Sequence, residues 1–163
     1  MKDWGIYDKS CMFAFPIPTN FWSLFMDFLI TLHGHNRWLM VIFALLAIVS
    51  IIMNMKDSGE YKKFTKLSGS IYAYALALQF LIGLILFFPK GNALDWDMSA
   101  LRIQLEHATT MILAVAIAHS PAAWKKLENG KRLRNTLIAY VVSLFLIFLG
   151  VIRIGGSALW FGS

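Results

Sequence analysis

Leu32-His33-Gly34-His35-Asn36-Arg37-Trp38 opens a long apolar run and carries two of the chain's four histidines. A second apolar run has Glu106-His107 near its own start. Composition decides what kind of helix these runs form. Of 163 residues, 58% are hydrophobic and 15% charged, and the mean hydropathy is +0.63; a soluble domain has about 25% charged residues. The chain reads as an integral membrane protein. Four spans of about 20 residues each, with short connections, nearly exhaust its length. The expected fold class is therefore all-α, a four-helix up-down bundle forming a single membrane domain, because short loops join antiparallel neighbours.

Working outward from the HGHNRW stretch, residues 21–55 are apolar apart from Asp27 and the histidine-bearing insert. As one helix they would measure about 50 Å at 1.5 Å per residue, which exceeds a bilayer core of about 30 Å. The reading therefore divides them into an amphipathic lead-in, capped by Thr19 or Asn20 after Pro18, and a first span over 28–53, with Gly34 as a candidate kink. A second span over 64–88 is stopped by Pro89-Lys90-Gly91-Asn92, a strong loop signal. Asp97 or Ser99 caps a third span over 100–122, and a fourth covers 135–152.

Residues 1–27 form the N-terminal arm and lead-in. Trp4 and Tyr7 suit a membrane–water interface, as do Trp160-Phe161 in the tail. The arm lacks the basic start, apolar core and cleavage site of a secretory signal. Cys11 is the one cysteine, so an intrachain disulfide is excluded. Within span two, Gly69, Ala73 and Ala77 make a small-residue stripe that lets a neighbouring helix approach, and Gln79 is expected to face protein or cofactor rather than lipid.

The net charge of +6 does not point to nucleic acid, because the basic residues sit in short loops between apolar runs. The 55–66 connection carries Lys56, Lys62, Lys63 and Lys66, and the 123–134 connection carries Lys125, Lys126, Lys131, Arg132 and Arg134; the 89–100 connection has only Lys90. The positive-inside tendency then puts both basic loops in the cytoplasm and both termini outside, in a bacterial inner membrane.

In that topology His35 and His107 each lie about seven residues into their spans from the same side, roughly 10 Å below the helix ends. Two histidines on different helices at one depth suit a bis-histidine b-type haem, whose iron takes an imidazole on each porphyrin face. Residues i and i+2 on a helix differ by about 200°, so only one of His33 and His35 faces the bundle. Depth favours His35, leaving His33 to a propionate, a headgroup or the outer surface. Arg37 and Glu106 can pair with each other at this depth, and Arg37 and Arg102 match haem propionates, since guanidinium fits carboxylate geometry. His119, before Ser120-Pro121, reads as an interfacial or capping residue. Copper is a rival occupant through His-Gly-His with Met26, Met98 or Met111. A quinone carbonyl could be met by Tyr72, Tyr74, Gln79, Tyr140 or Ser143, although such hydroxyls also bond neighbouring helices. Nucleotide-loop, serine-hydrolase and zinc-protease motifs are absent from the sequence.

Three segments together, Leu32 through Leu39, Gln79-Phe80-Leu81-Ile82-Gly83-Leu84-Ile85-Leu86, and Arg102 with Glu106-His107-Ala108-Thr109-Thr110-Met111, resemble a family of small bacterial four-span membrane proteins described as cytochrome b or cytochrome b561-like. The resemblance covers residues 28–152. It implies a membrane bundle, haem b, proximity to respiratory or other electron-transfer complexes, and a site at His33, His35, Arg37, Glu106 and His107. The chain departs from that pattern twice. Tyr74 to Gln79 lacks the family's span-two histidine, which puts a two-haem arrangement in doubt, and Ile152-Arg153-Ile154-Gly155 stands where a Pro-Trp motif is usual. Two functions are expected: an electron-transfer subunit with one haem near the outer face, at His35 and His107, or a non-catalytic accessory subunit of a larger respiratory or photosynthetic complex, its histidines and Arg37–Glu106 pair locking helices.

Overall fold

In the computed structural model, residues 21–57 and 61–156 are described. The interfacial roles expected for residues 1–20 and 157–163 lie outside them. The described residues form four α-helices and no strand: α1 (Phe21–Asp57), α2 (Lys63–Ala93), α3 (Arg102–His119) and α4 (Asn129–Gly155), with a 3-10 turn over Ser120–Trp124. Helix α1 packs on α2 and α4, and α3 packs on α2 and α4, whereas the diagonal pairs have no close backbone contact among the described residues. The helices thus stand in a ring in chain order. Cross-contacts run in opposite directions along neighbours: His33 meets Gln79 while Ser50 meets Ser68, and His107 meets Gly150 while Ala114 meets Ser143.

Helices α1, α2 and α4 are long and apolar enough to cross a membrane. Their outward faces carry residues such as Leu45, Leu46, Leu81, Ile85 and Phe145, as suits contact with lipid. Helix α3 falls short because its first turns hold Arg102, Gln104, Glu106, His107, Thr109 and Thr110.

Several boundaries differ from the sequence reading, each for a local reason. Helix α1 is one continuous 37-residue element, with no separate lead-in and no interruption at Gly34. Nothing lies within 4 Å of where a Gly34 Cβ would be, so no contact there forces a bend. Helix α2 runs through Pro89 to Ala93; the missing Pro89 amide leaves the Ile85 carbonyl without its helical donor, but four further residues extend the helix. Beyond it the chain folds back, with the Trp96 amide donating to the Gly91 carbonyl at 2.9 Å. The Trp96 ring lies where a Gly91 Cβ would come within 2.6 Å of it, so glycine is needed there for close approach. Asp97 does not cap α3, whose N-cap is Leu101. Its carboxylate accepts from the Ser99 amide at 2.8 Å and hydroxyl at 2.7 Å, and these bonds hold its pKa below the ordinary carboxylate value. At its far end α3 stops at His119 and Ser120-Pro121 tightens the chain into the 3-10 turn. Helix α4 starts six residues before the expected 135 and ends three after 152.

The core sets small residues, Ala44 and Ala47 of α1, Ala73 of α2 and Ala114 and Ala118 of α3, against the large Tyr72 of α2 and Tyr140 of α4. Apolar burial drives little association in lipid, so close backbone approach and interhelical hydrogen bonds matter more. One polar bridge crosses the α2/α4 diagonal, with the Tyr72 and Ser143 hydroxyls 2.7 Å apart and Ser143 Oγ donating to the Ala114 carbonyl at 2.9 Å. Tyr140 meets Tyr72 edge-to-face, with centroids 5.2 Å apart. A Cβ on Gly69 would come within 2.5 Å of the Tyr140 hydroxyl, which explains the glycine in the small-residue stripe. Nearer the basic loops, Ser50 and Ser68 share a 2.8 Å hydrogen bond and Asn54 Nδ2 donates to Thr65 Oγ1 at 3.1 Å.

Candidate functional site

The second diagonal is bridged by histidine. From α1, His33 points into the ring and meets His107 of α3 edge-to-face, with centroids 6.4 Å apart and planes at 78°. His35 lies on the exposed side of α1, its Nδ1–H donating to the Thr31 carbonyl one turn back at 2.9 Å. The i, i+2 argument correctly separates the two histidines, but the inward one is His33. The preference for His35 rested on a helix starting near residue 28. With α1 running from Phe21 that depth reference disappears, and the partners on α2 select His33.

Those partners center on Gln79, a buried residue of α2. Its Nε2 donates to the His33 carbonyl at 2.8 Å and lies 3.1 Å from His33 Nδ1, and its Oε1 accepts from Asn36 Nδ2 at 2.8 Å. The carbonyl contact fixes which end of the amide is nitrogen, because a carbonyl oxygen only accepts. His33 Nδ1 therefore accepts the second Nε2 hydrogen, and the imidazole proton resides on Nε2. His107 is held in the opposite sense: its Nδ1–H donates to the Gly150 carbonyl at 2.8 Å, so its Nε2 carries the lone pair.

Glycines stand beside both rings on the flanking helices. A Cβ on Gly83 of α2 would come within 2.8 Å of His33 Cε1. A Cβ on Gly150 of α4 would collide with the Met111 methyl and reach 3.4 Å from His107 Nδ1. Bare backbone at these two points lets α2 and α4 close around the histidine pair.

Glu106 lies next to His107 in sequence but pairs elsewhere. One carboxylate oxygen accepts from Arg102 Nε at 2.9 Å and the other from Arg153 Nε of α4. The expected Arg37–Glu106 pair is replaced by this triad; the Arg37 guanidinium lies 6.0 Å from the Trp38 ring centroid. Two guanidiniums on one carboxylate leave an excess positive charge beside the histidines. Asn36, Gly83, Gly150 and Arg153 were not singled out from sequence as site residues. Arg153 had a readable signal, since a charge closing an apolar run is costly in lipid and usually has a role.

The other candidates scatter. His119 Nδ1–H donates to the Val115 carbonyl at 2.9 Å and its ring meets Tyr74 edge-to-face at 6.1 Å, toward the basic end. Tyr72 and Ser143 satisfy each other in the core. Of the methionines considered for copper, Met111 adjoins Gly150 as His107 does, whereas Met98 is exposed in the connection before α3. Among the described residues no group of three or more His, Cys, Asp or Glu converges. No family model, curated protein or solved structure matches this chain.

Proposed function

We propose that the chain is a membrane-embedded b-type electron-transfer subunit in which His33 and His107 would hold one haem. The carrying observation is the facing of these two imidazoles across the bundle diagonal. Their ring centroids are 6.4 Å apart, and imidazole is a ligand that haem iron accepts. The bound group would supply one-electron chemistry. The protein's share is positional: the Gly150 carbonyl orients His107 with its Nε2 lone pair inward, as is usual for ligating histidines. The excess charge of the Arg102–Glu106–Arg153 group suits a carboxylate-bearing ligand. A larger electron-transfer complex in a bacterial inner membrane, with the basic loops cytoplasmic, is the setting this reading implies.

A second reading has its own observation. Gln79 Nε2, tied to the His33 carbonyl, places the proton on His33 Nε2, an atom that then donates rather than ligates. On this reading the layer is a hydrogen-bonded lock between helices, and the chain is an accessory subunit packed against a larger membrane complex. A reduced-minus-oxidised visible spectrum of the detergent-purified protein, expressed with full haem supply, separates the two. The first reading expects a b-type α band that His107→Ala and His33→Ala abolish and His35→Ala retains. A spectrum without that band would leave the lock reading standing alone.

A further inference from the structure

At the basic end, where α3 gives way to the 3-10 turn, an open groove of about 350 Å³ runs between the turn and α4. Its walls are Ile117, Trp124, Ile138, Ala139 and Val142, with Ser120 and Asn135 as the polar members. The local sequence makes it. Ser120-Pro121 ends α3 early, so the α4 surface at Ile138 and Val142 is left uncovered; both are exposed. The volume falls within the range of small-ligand sites, about 300–1,000 Å³.

The charges around the groove indicate what fills it. Five basic residues follow Trp124 in the connection and first turns of α4. Lys131 is paired with Glu128 at 3.7 Å, and the Arg132 guanidinium stacks on the Tyr61 ring at 3.7 Å. The other three, Lys125 and Lys126 directly after Trp124 and Arg134 directly before Asn135, are exposed and form no ion pair among the described residues. Ser120 Oγ is spent on the Ile117 carbonyl at 2.7 Å, whereas the half-buried Asn135 amide makes no side-chain hydrogen bond among the described residues. Unspent cations and an amide donor thus flank an apolar slot with a tryptophan at its edge. Basic pockets between membrane helices select anionic headgroups, and tryptophan favours the headgroup level.

We propose that this groove seats an acyl chain of an anionic glycerophospholipid, whose headgroup is held by Lys125, Lys126 and Arg134 with Asn135. The site is separate from the histidine layer and does not depend on haem. Native mass spectrometry of the purified full chain, titrated with dioleoyl phosphatidylglycerol or dioleoyl phosphatidylcholine, tests it. Wild type is expected to retain phosphatidylglycerol about tenfold better, a modest share of what three basic residues can contribute near an anionic headgroup. The surface variant Lys125→Gln/Lys126→Gln/Arg134→Gln should lose that preference. Lys63→Gln/Lys66→Gln, an equal kind of neutralisation on α2, should keep it. Ile138→Trp, which fills the slot from its exposed side, should weaken retention of phosphatidylglycerol. Equal retention of both lipids by wild type would mean a groove without headgroup recognition and would overturn the proposal. So would a preference that survives the triple variant, or retention by Ile138→Trp equal to wild type.

Discussion

Replacing Gln79 with leucine removes three hydrogen bonds between α1 and α2 in a single step: to the His33 carbonyl, to His33 Nδ1 and from Asn36. Leucine fills nearly the same volume, so the loss is one of hydrogen bonding rather than of packing. Interhelical side-chain bonds in membrane proteins average about 0.6 kcal/mol and reach about 1.7. Three of them set an expected destabilisation of about 2 kcal/mol, with about 5 as a ceiling. The His33 carbonyl retains its helical partner, so the main added cost is an unsatisfied Asn36 amide. Asn36→Leu removes only one of the three bonds and should cost about 0.6 kcal/mol. The two substitutions share that bond, and a double-mutant cycle should therefore return a coupling of about 0.6–1.7 kcal/mol. The assay is reversible unfolding by sodium dodecyl sulfate in mixed micelles, followed by circular dichroism. A Gln79→Leu loss below about 0.5 kcal/mol, or strict additivity with Asn36→Leu, would refute the idea that Gln79 clamps α1 to α2.

The same unfolding assay checks three further expectations. Gly83→Ala drives a Cβ to 2.8 Å from His33 Cε1, a ring already held by Gln79, and should cost about 1–3 kcal/mol as overpacking; Gly34→Ala, with nothing within 4 Å, should gain about 0.5–1 kcal/mol from helix propensity. Tyr72→Phe loses the hydroxyl bond to Ser143 and should cost about 0.6–1.7 kcal/mol. His35→Ala, on the exposed face, should stay within about 0.5 kcal/mol of wild type, while His33→Ala should be clearly destabilised.

The helical class and three of the membrane-length runs could be read from apolar run lengths, because 3.6-residue geometry and bilayer thickness leave few alternatives. The expected third span over 100–122 is instead an 18-residue helix with a polar start. Gln79 was also legible, since an amide deep in an apolar run must find a partner. The inward histidine was not. Helical phase says that His33 and His35 oppose each other, but choosing between them needs the register of α1 against α2, which is fixed by residues more than 40 positions away. Glu106 was paired with Arg37 by apparent depth, whereas the structure gives it Arg102 one turn back and Arg153 on α4. That contact depends on α4 continuing past 152, a boundary that hydropathy alone placed too early. Pro89 misled because a proline marks a break in sequence statistics, whereas here α2 absorbs the lost amide and continues four residues past it.

The four helices are unequal about the histidine layer. Helix α1 extends about 18 Å beyond His33 and α2 about 15 Å beyond Gly83, whereas α3 and α4 extend only about 7–8 Å beyond His107 and Gly150 at 1.5 Å per residue. The described helices thus form a tall wall on one side and a low sill on the other. On the sill Arg102 and Arg153 share the Glu106 carboxylate, so the low side of the layer carries two guanidiniums. The architecture gives the bundle a front and a back, with the front faced in guanidinium.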